Sequence, residues 1–152
     1  INLRSPWWKL SQTKQMMTDA KWLKLNQHEL AQVQDDVTAA AAADDETLVK
    51  LLQHYQLELL IVTRGEQGVV ACDHHGAISR VAPEVLSRVK DTVGAGDAVS
   101  SVLLLGQTLR WPLVTTLQRA QQFASAVVGL QGATTSDATF YQPFVDAWQL
   151  SP

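Results

Sequence analysis

The stretch VKDTVGAGDAVSS, residues 89–101, decides how this chain is read. Two glycines flank Ala95, a carboxylate follows at Asp97, and the chain then turns apolar. Glycine at 94 and 96 permits positive φ and close approach of a ligand to the backbone. The apolar run reads as a helix from Gly94 to about Arg110. Val99, Val102, Leu103, Leu104 and Leu105 leave it little polar surface, which predicts a buried helix. The first amides of such a helix have no intrahelical acceptor, and its dipole adds partial positive charge there. Gly94, Ala95 and Gly96 therefore form a candidate anion hole suited to phosphate.

Asp97 sorts the ligand classes. A dinucleotide fold would want G-x-G-x-x-G and an acid about twenty residues on for the ribose. Here the third glycine is missing, and no Asp or Glu stands between Asp97 and Asp137. Asp97 would also repel a pyrophosphate bound in the turn. In phosphoryl transfer the same carboxylate is useful. It accepts the proton of an attacking hydroxyl while neighbouring amides stabilise the transferring group. No Walker A sequence and no H-R-D or D-F-G of protein kinases occurs in the chain. The plainer reading is an acid favoured at a helix N-terminus. The stretch alone leaves both open.

Working outward, strands and helices alternate. INLR looks like a strand end. Pro6 can occupy a first helical turn, and Trp7, Trp8, Leu10, Met16 and Met17 suggest a core-facing helix. KWLKLN reads as a strand ending at Asn26, followed by the short helix QHELAQV. The acidic, alanine-rich DDVTAAAAADDE reads as a solvated loop or short helix, with Asp44 as N-cap of the next helix. That helix places Leu48, Leu51, Leu52 and Tyr55 on one stripe. LELLIVTRG is a continuous apolar run, as expected of a strand covered on both faces. QGVVACD-HHG-AISRVA reads as a hairpin with His74 and His75 solvated in its turn. Past Trp111, Pro112 opens a helix with Leu113, Leu117, Ala120, Ala124, Val127 and Val128 at helical spacing, its end bracketed by Gly129 and Gly132, where a left-handed cap is expected. YQPFVDAWQL is a last amphipathic helix. The pattern predicts an α/β class with a mostly parallel sheet.

Composition narrows the partners. The 152 residues suffice for a real core, and 46% are apolar against 18% charged. Net charge is −3 with no basic run, so no nucleic acid is expected. No apolar stretch reaches spanning length, so no membrane is expected either. The single cysteine, Cys72, can form no internal disulfide, and nothing points to an oxidising compartment.

DTVGAGDAV resembles the C-terminal signature of the ribokinase-like (PfkB) family of carbohydrate kinases. Three further pieces follow the family's order. INLR matches the end of a D-x-N-x-R segment through Asn2 and Arg4, LNQHE matches N-x-x-E through Asn26 and Glu29, and VTRGEQG matches T/K-x-G-x-x-G through Thr63, Gly65 and Gly68. The resemblance spans nearly the whole chain and looks closest to fructokinase-type members.

It implies a Rossmann-like ribokinase fold and phosphorylation of a small sugar hydroxyl by ATP. Asp97 would be the general base, with Gly94, Ala95 and Gly96 as the anion hole. Thr63, Gly65 and Gly68 would contact nucleotide phosphates, with Ser125 and Gly132 near the adenine. Asn2 and Arg4 would lie near the transferring phosphate. Asn26 and Glu29 would help place Mg²⁺, partly through water; their plainer reading is a capping box at a helix start. For TRGEQG it is a turn between two strands. Asp91 and Val93 match positions that bind a monovalent cation such as K⁺ in several members. The resemblance also implies a cytoplasmic enzyme and a homodimer of the full-length protein. Family members are roughly twice this length, so residues 1–152 are expected to be the C-terminal, nucleotide-binding portion of a larger kinase domain, without its N-terminal sugar-binding part and lid. The competing reading is a non-catalytic nucleotide-binding module, though a pure binder gains nothing from an acid facing phosphate.

Overall fold

The computed structural model describes residues 1–3, 6–34, 44–83 and 89–150. The chain divides into two units, Ile1–Pro83 and Glu84–Pro152.

The first unit is built on two neighbouring strands. Strand β1 (Trp22–Asn26) alternates, with Leu23 and Leu25 buried and Trp22 and Lys24 half-buried. Strand β2 (Leu59–Thr63) buries Leu59 through Val62, as an apolar run covered on both faces requires. The two pair in parallel, from Trp22 opposite Leu59 to Asn26 opposite Thr63. A parallel pair needs a long crossover. Helices α2 (Gln27–Val33) and α3 (Asp45–His54) lie in that connection. Leu30 and Val33 of α2, Leu48 and Leu52 of α3, and Tyr55 join Leu23, Leu25, Leu60, Val62, Val70 and Cys72 in one core. Each such apolar side chain, fully buried, is worth about 1.5–3 kcal/mol. The expected stripe on α3 holds, with Leu51 half-buried, and Asp44 caps it by accepting the Thr47 amide at 2.8 Å. The rest of the alanine-rich stretch, residues 35–43, lies outside the described residues.

Strand β3 (Val69–Asp73) pairs antiparallel with β2 after a short 3₁₀ turn, Gly65–Gln67. Strand β4 (Ile78–Val81) pairs antiparallel with β3, completing the order β1-β2-β3-β4. In the turn between them the Asp73 carboxylate accepts the amides of His75 and Ala77. His74 and His75 are exposed there, as expected. The α/β class stands. The expectation of a mostly parallel sheet narrows, among the described strands, to one parallel pair, because connections this short join only antiparallel neighbours. Burial pushes the Cys72 thiol up, the state of an inert buried cysteine.

Helix α1 (Leu10–Thr18) forms where a helix is expected, but with a different inner face. Thr13 and Met17 are buried, while Trp7 is 87% and Met16 74% exposed. Adjacent residues on a helix point about 100° apart, so Met16 and Met17 cannot both face one core.

The second unit packs helix α4 (Ala95–Thr108) on helix α5 (Leu113–Val127). The expectation of a buried α4 holds for one face only. Ala98, Val99, Val102, Leu103 and Gly106 are buried, whereas Leu104 is 63% exposed. Pro112 is the N-cap of α5, whose Leu117, Ala120, Ala124 and Val127 face inward. The left-handed residue beyond α5 is Gly132, not Gly129. Helix α6 (Ala138–Ala147) starts three residues earlier than its apolar pattern suggests, because Asp137 caps it through the Thr139 amide and hydroxyl. Phe123 of α5 stacks edge-on against Phe144 and Trp148, and the Arg119 guanidinium lies 3.9 Å over Trp111. Among the described residues no helix is long and apolar enough to cross a membrane.

Helices α4 and α5 leave no room for a side chain at Gly106. A Cβ there would overlap Cγ2 of Thr116 and sit 2.5 Å from its Oγ1. Gly106→Ala is therefore expected to destabilise by about 1–3 kcal/mol despite alanine's better helix propensity. Adding Thr116→Ala should recover part of the loss, so urea denaturation of the two single variants and the double variant should show favourable coupling.

Candidate functional site

In a parallel pair the carboxyl ends of the strands lie side by side, the position where α/β proteins hold ligands. Here that edge presents Asn26 opposite Thr63. The Thr63 hydroxyl donates to the Leu25 carbonyl at 3.4 Å. The chain beyond Thr63 is bent by two glycines at positive φ, Gly65 at 53° and Gly68 at 81°. They serve differently. A Cβ on Gly68 would overlap the Val81 carbonyl oxygen, so this position admits only glycine against the end of β4. Nothing lies within 4 Å of where a Cβ on Gly65 would point.

Asn26 and Glu29 form the capping box that their spacing allowed. Asn26 Oδ1 accepts the Glu29 amide at 2.8 Å, and Glu29 Oε2 accepts the Asn26 amide at 2.8 Å. Glu29 does more, because its Oε1 accepts the Leu3 amide at 3.0 Å. One carboxylate, 5% exposed, thus ties the segment after Asn2 to the β1–α2 corner. Sequence reading missed that tie, since nothing in a pattern links residue 3 to residue 29. Asn2 is exposed on this segment, and Arg4 lies outside the described residues.

The Glu29 carboxylate is engaged before any metal is considered. Both Glu29 oxygens already accept backbone amides, and the group is buried. Among the described residues no three His, Cys, Asp or Glu side chains converge to hold a metal. Glu29 is thus held by the backbone, and the part in placing Mg²⁺ that the resemblance implies would run through water with these bonds kept.

In the second unit Gly94 stands at the start of α4 with φ 85°, the left-handed conformation that the glycine-rich turn predicts. Its missing side chain is also a packing requirement: a Cβ would lie 2.7 Å from Cα and 2.9 Å from the carbonyl oxygen of Ala133. The loop ahead of α4 is fixed to the end of α5. The amides of Lys90 and Asp91 donate to the Val128 carbonyl at 2.9 and 3.2 Å. The Asp91 carboxylate accepts the Val93 amide at 3.0 Å and the Gly132 amide at 3.2 Å. Asp91 thereby brings together the glycine-rich turn and the loop that bears Gly132. Val93 is itself 57% exposed.

At the helix start, the Ala95 amide donates to the Thr92 carbonyl at 3.4 Å. The amides of Gly94 and Gly96 have no acceptor among the described residues. Asp97 lies in the first turn of α4, is exposed, and caps nothing; it has no hydrogen-bond or ion-pair partner among the described residues. Ser125 is buried on α5.

Two variants follow from these contacts. Glu29→Ala should cost about 1–3 kcal/mol for each backbone donor left buried and unpaired, equally with and without Mg²⁺ in a denaturation series. Gly94→Ala should lose roughly 1–2 kcal/mol from the left-handed backbone alone, and more from the clash with Ala133, read by the same method.

Similarity to known proteins covers most of the chain. The family model described as pfkB family carbohydrate kinase matches residues 1–139. The bifunctional protein HldE of Sodalis glossinidius (strain morsitans) is 35% identical over 104 residues, which is 66% of this chain and 21% of that protein. A probable fructokinase-2 of Arabidopsis thaliana is 32% identical over 106 residues, 68% of this chain and 31% of that protein. The crystal structure of ribokinase from Cryptococcus neoformans var. grubii serotype A in complex with ADP superimposes with a TM-score of 0.70 at 23% identity, covering 85% of this chain and 44% of that one. The fold is thus ribokinase-like, and the chain spans less than half the length of these relatives.

Proposed function

The chain belongs to the pfkB family of carbohydrate kinases, and from that we propose that it carries the nucleotide-binding and catalytic-base portion of an ATP-dependent sugar kinase. The reaction moves the γ-phosphoryl group of ATP to a hydroxyl of a small sugar. The Asp97 carboxylate takes the hydroxyl proton, the sugar oxygen bonds to the γ-phosphorus, and the bond to the bridging oxygen breaks to release ADP. Amides of the Gly94–Gly96 turn and the N-terminal dipole of α4 stabilise charge on the transferring group. Thr63, Gly65 and Gly68 take the nucleotide's phosphates, and Ser125 and Gly132 flank its base. Asn2 and Arg4 approach the transferring phosphate.

The observation that carries this reading is Asp97. It sits in the first turn of α4, directly behind the glycine-rich turn, and its carboxylate makes no cap or ion pair among the described residues. A capping acid would be engaged with its own helix. The same feature opposes the alternative of a non-catalytic binding module, in which an unpaired acid beside phosphate only weakens binding. The fructokinase relatives support sugar as the acceptor class.

Asp97→Asn in the intact protein should lower turnover by about 10²–10⁴-fold or more while ATP affinity stays within a few-fold. Steady-state kinetics beside ATP titration would check it. Near-normal turnover in that variant would remove the base assignment and favour the binding module.

A further inference from the structure

We propose that Arg64 is an anion-binding side chain that takes a phosphate oxygen of the bound nucleotide, an inference that rests on the kinase reading above. Arg64 directly follows Thr63 at the carboxyl end of β2, beside parallel β1. Its backbone is committed. The amide donates to the Gly68 carbonyl at 2.8 Å, and the carbonyl accepts the Gln67 amide at 3.0 Å. The stem of the side chain is therefore held at one place on the sheet edge.

The guanidinium is not matched in the same way. Its Nε is buried and has no acceptor among the described residues. Its Nη2 reaches one acceptor, the Gln67 carbonyl, at a long 3.5 Å. No carboxylate among the described residues pairs with it, and Glu66, two positions along, is exposed. A guanidinium stays charged and carries five donors in a planar fork. Native proteins seldom leave such a donor buried without a partner, and where they do a water, an ion or a functional role accounts for it. The fork suits an oxyanion with two free oxygens, which phosphate supplies. Its neighbours select phosphate over a carboxylate substrate. Thr63 and Gly65 are the residues proposed to meet the nucleotide's phosphates, and Gly65 leaves open space beside its Cα. Glycine provides access in that loop, and Arg64 adds the positive charge.

The test is calorimetric titration of the intact protein with ATP and, separately, with adenosine, for the wild type, Arg64→Gln and Arg64→Lys. Melting curves of the free proteins accompany it. Arg64→Gln should weaken ATP by about tenfold or more, the size of a lost charged hydrogen bond, and leave adenosine unchanged. Arg64→Lys, which keeps the charge and loses the fork, should fall between. Unchanged ATP affinity in both variants overturns the inference, as does an equal loss for ATP and adenosine, which marks a role in folding only. If Arg64→Gln fails to fold, the lysine variant decides by the same comparison. A wild type that binds neither ligand sinks the kinase reading itself and this inference with it; a wild type that binds ATP alongside unaffected variants sinks only the role of Arg64.

Discussion

The parallel pairing of β1 with β2 is the constraint on which the first unit depends. Two strands running the same way need a crossover, so α2 and α3 must occur between them. Those helices pack on one face of β2, through Leu60 and Val62, and Leu59 and Ile61 on the other face are buried as well, as its unbroken apolar run anticipates. The pairing also brings two carboxyl ends to one edge, so Asn26 and Thr63 become neighbours although 37 positions separate them in sequence. The later strands add antiparallel partners through short turns and leave that edge intact. Gly68 shows how little slack remains, since even one methyl group there would meet the Val81 carbonyl.

The second unit reaches a comparable precision by other means. Its critical turn is held by hydrogen bonds and by a glycine with no room for a side chain. Val128 accepts two amides of the incoming loop, and the Asp91 carboxylate bridges that loop to Gly132. Gly94 then packs on Ala133. A turn held this way is ordered before any ligand arrives, which is the condition the proposed anion hole requires.

Carboxylates in the two units illustrate opposite uses of one functional group. Glu29 is buried, accepts backbone amides on both oxygens, and works as a structural tie. Asp97 is exposed and accepts none among the described residues. Both fall in motifs that the family resemblance marks as functional. The capping box explains why Asn26 and Glu29 lie three apart without invoking a metal. Asp97 makes no such bond among the described residues, and the helix start offers it only the dipole that favours an acid there.

Much of this was legible in the residues alone. Periodicity located β1, α2, α3, β2 and α5 closely, because their apolar spacing matches their own geometry. The glycine-rich turn announced a left-handed Gly94, since few other residues adopt that backbone. The resemblance of four short motifs identified the family over most of the chain. Burial was less legible. Met16 and Leu104 looked like core and are exposed, because local pattern records hydrophobicity and not what packs opposite. The tertiary structure alone decided that Glu29 holds Leu3, that Asp91 holds Gly132, and that Gly94 meets Ala133. Each joins residues 26 to 41 positions apart, and such contacts depend on how the chain returns on itself, which no local spacing encodes.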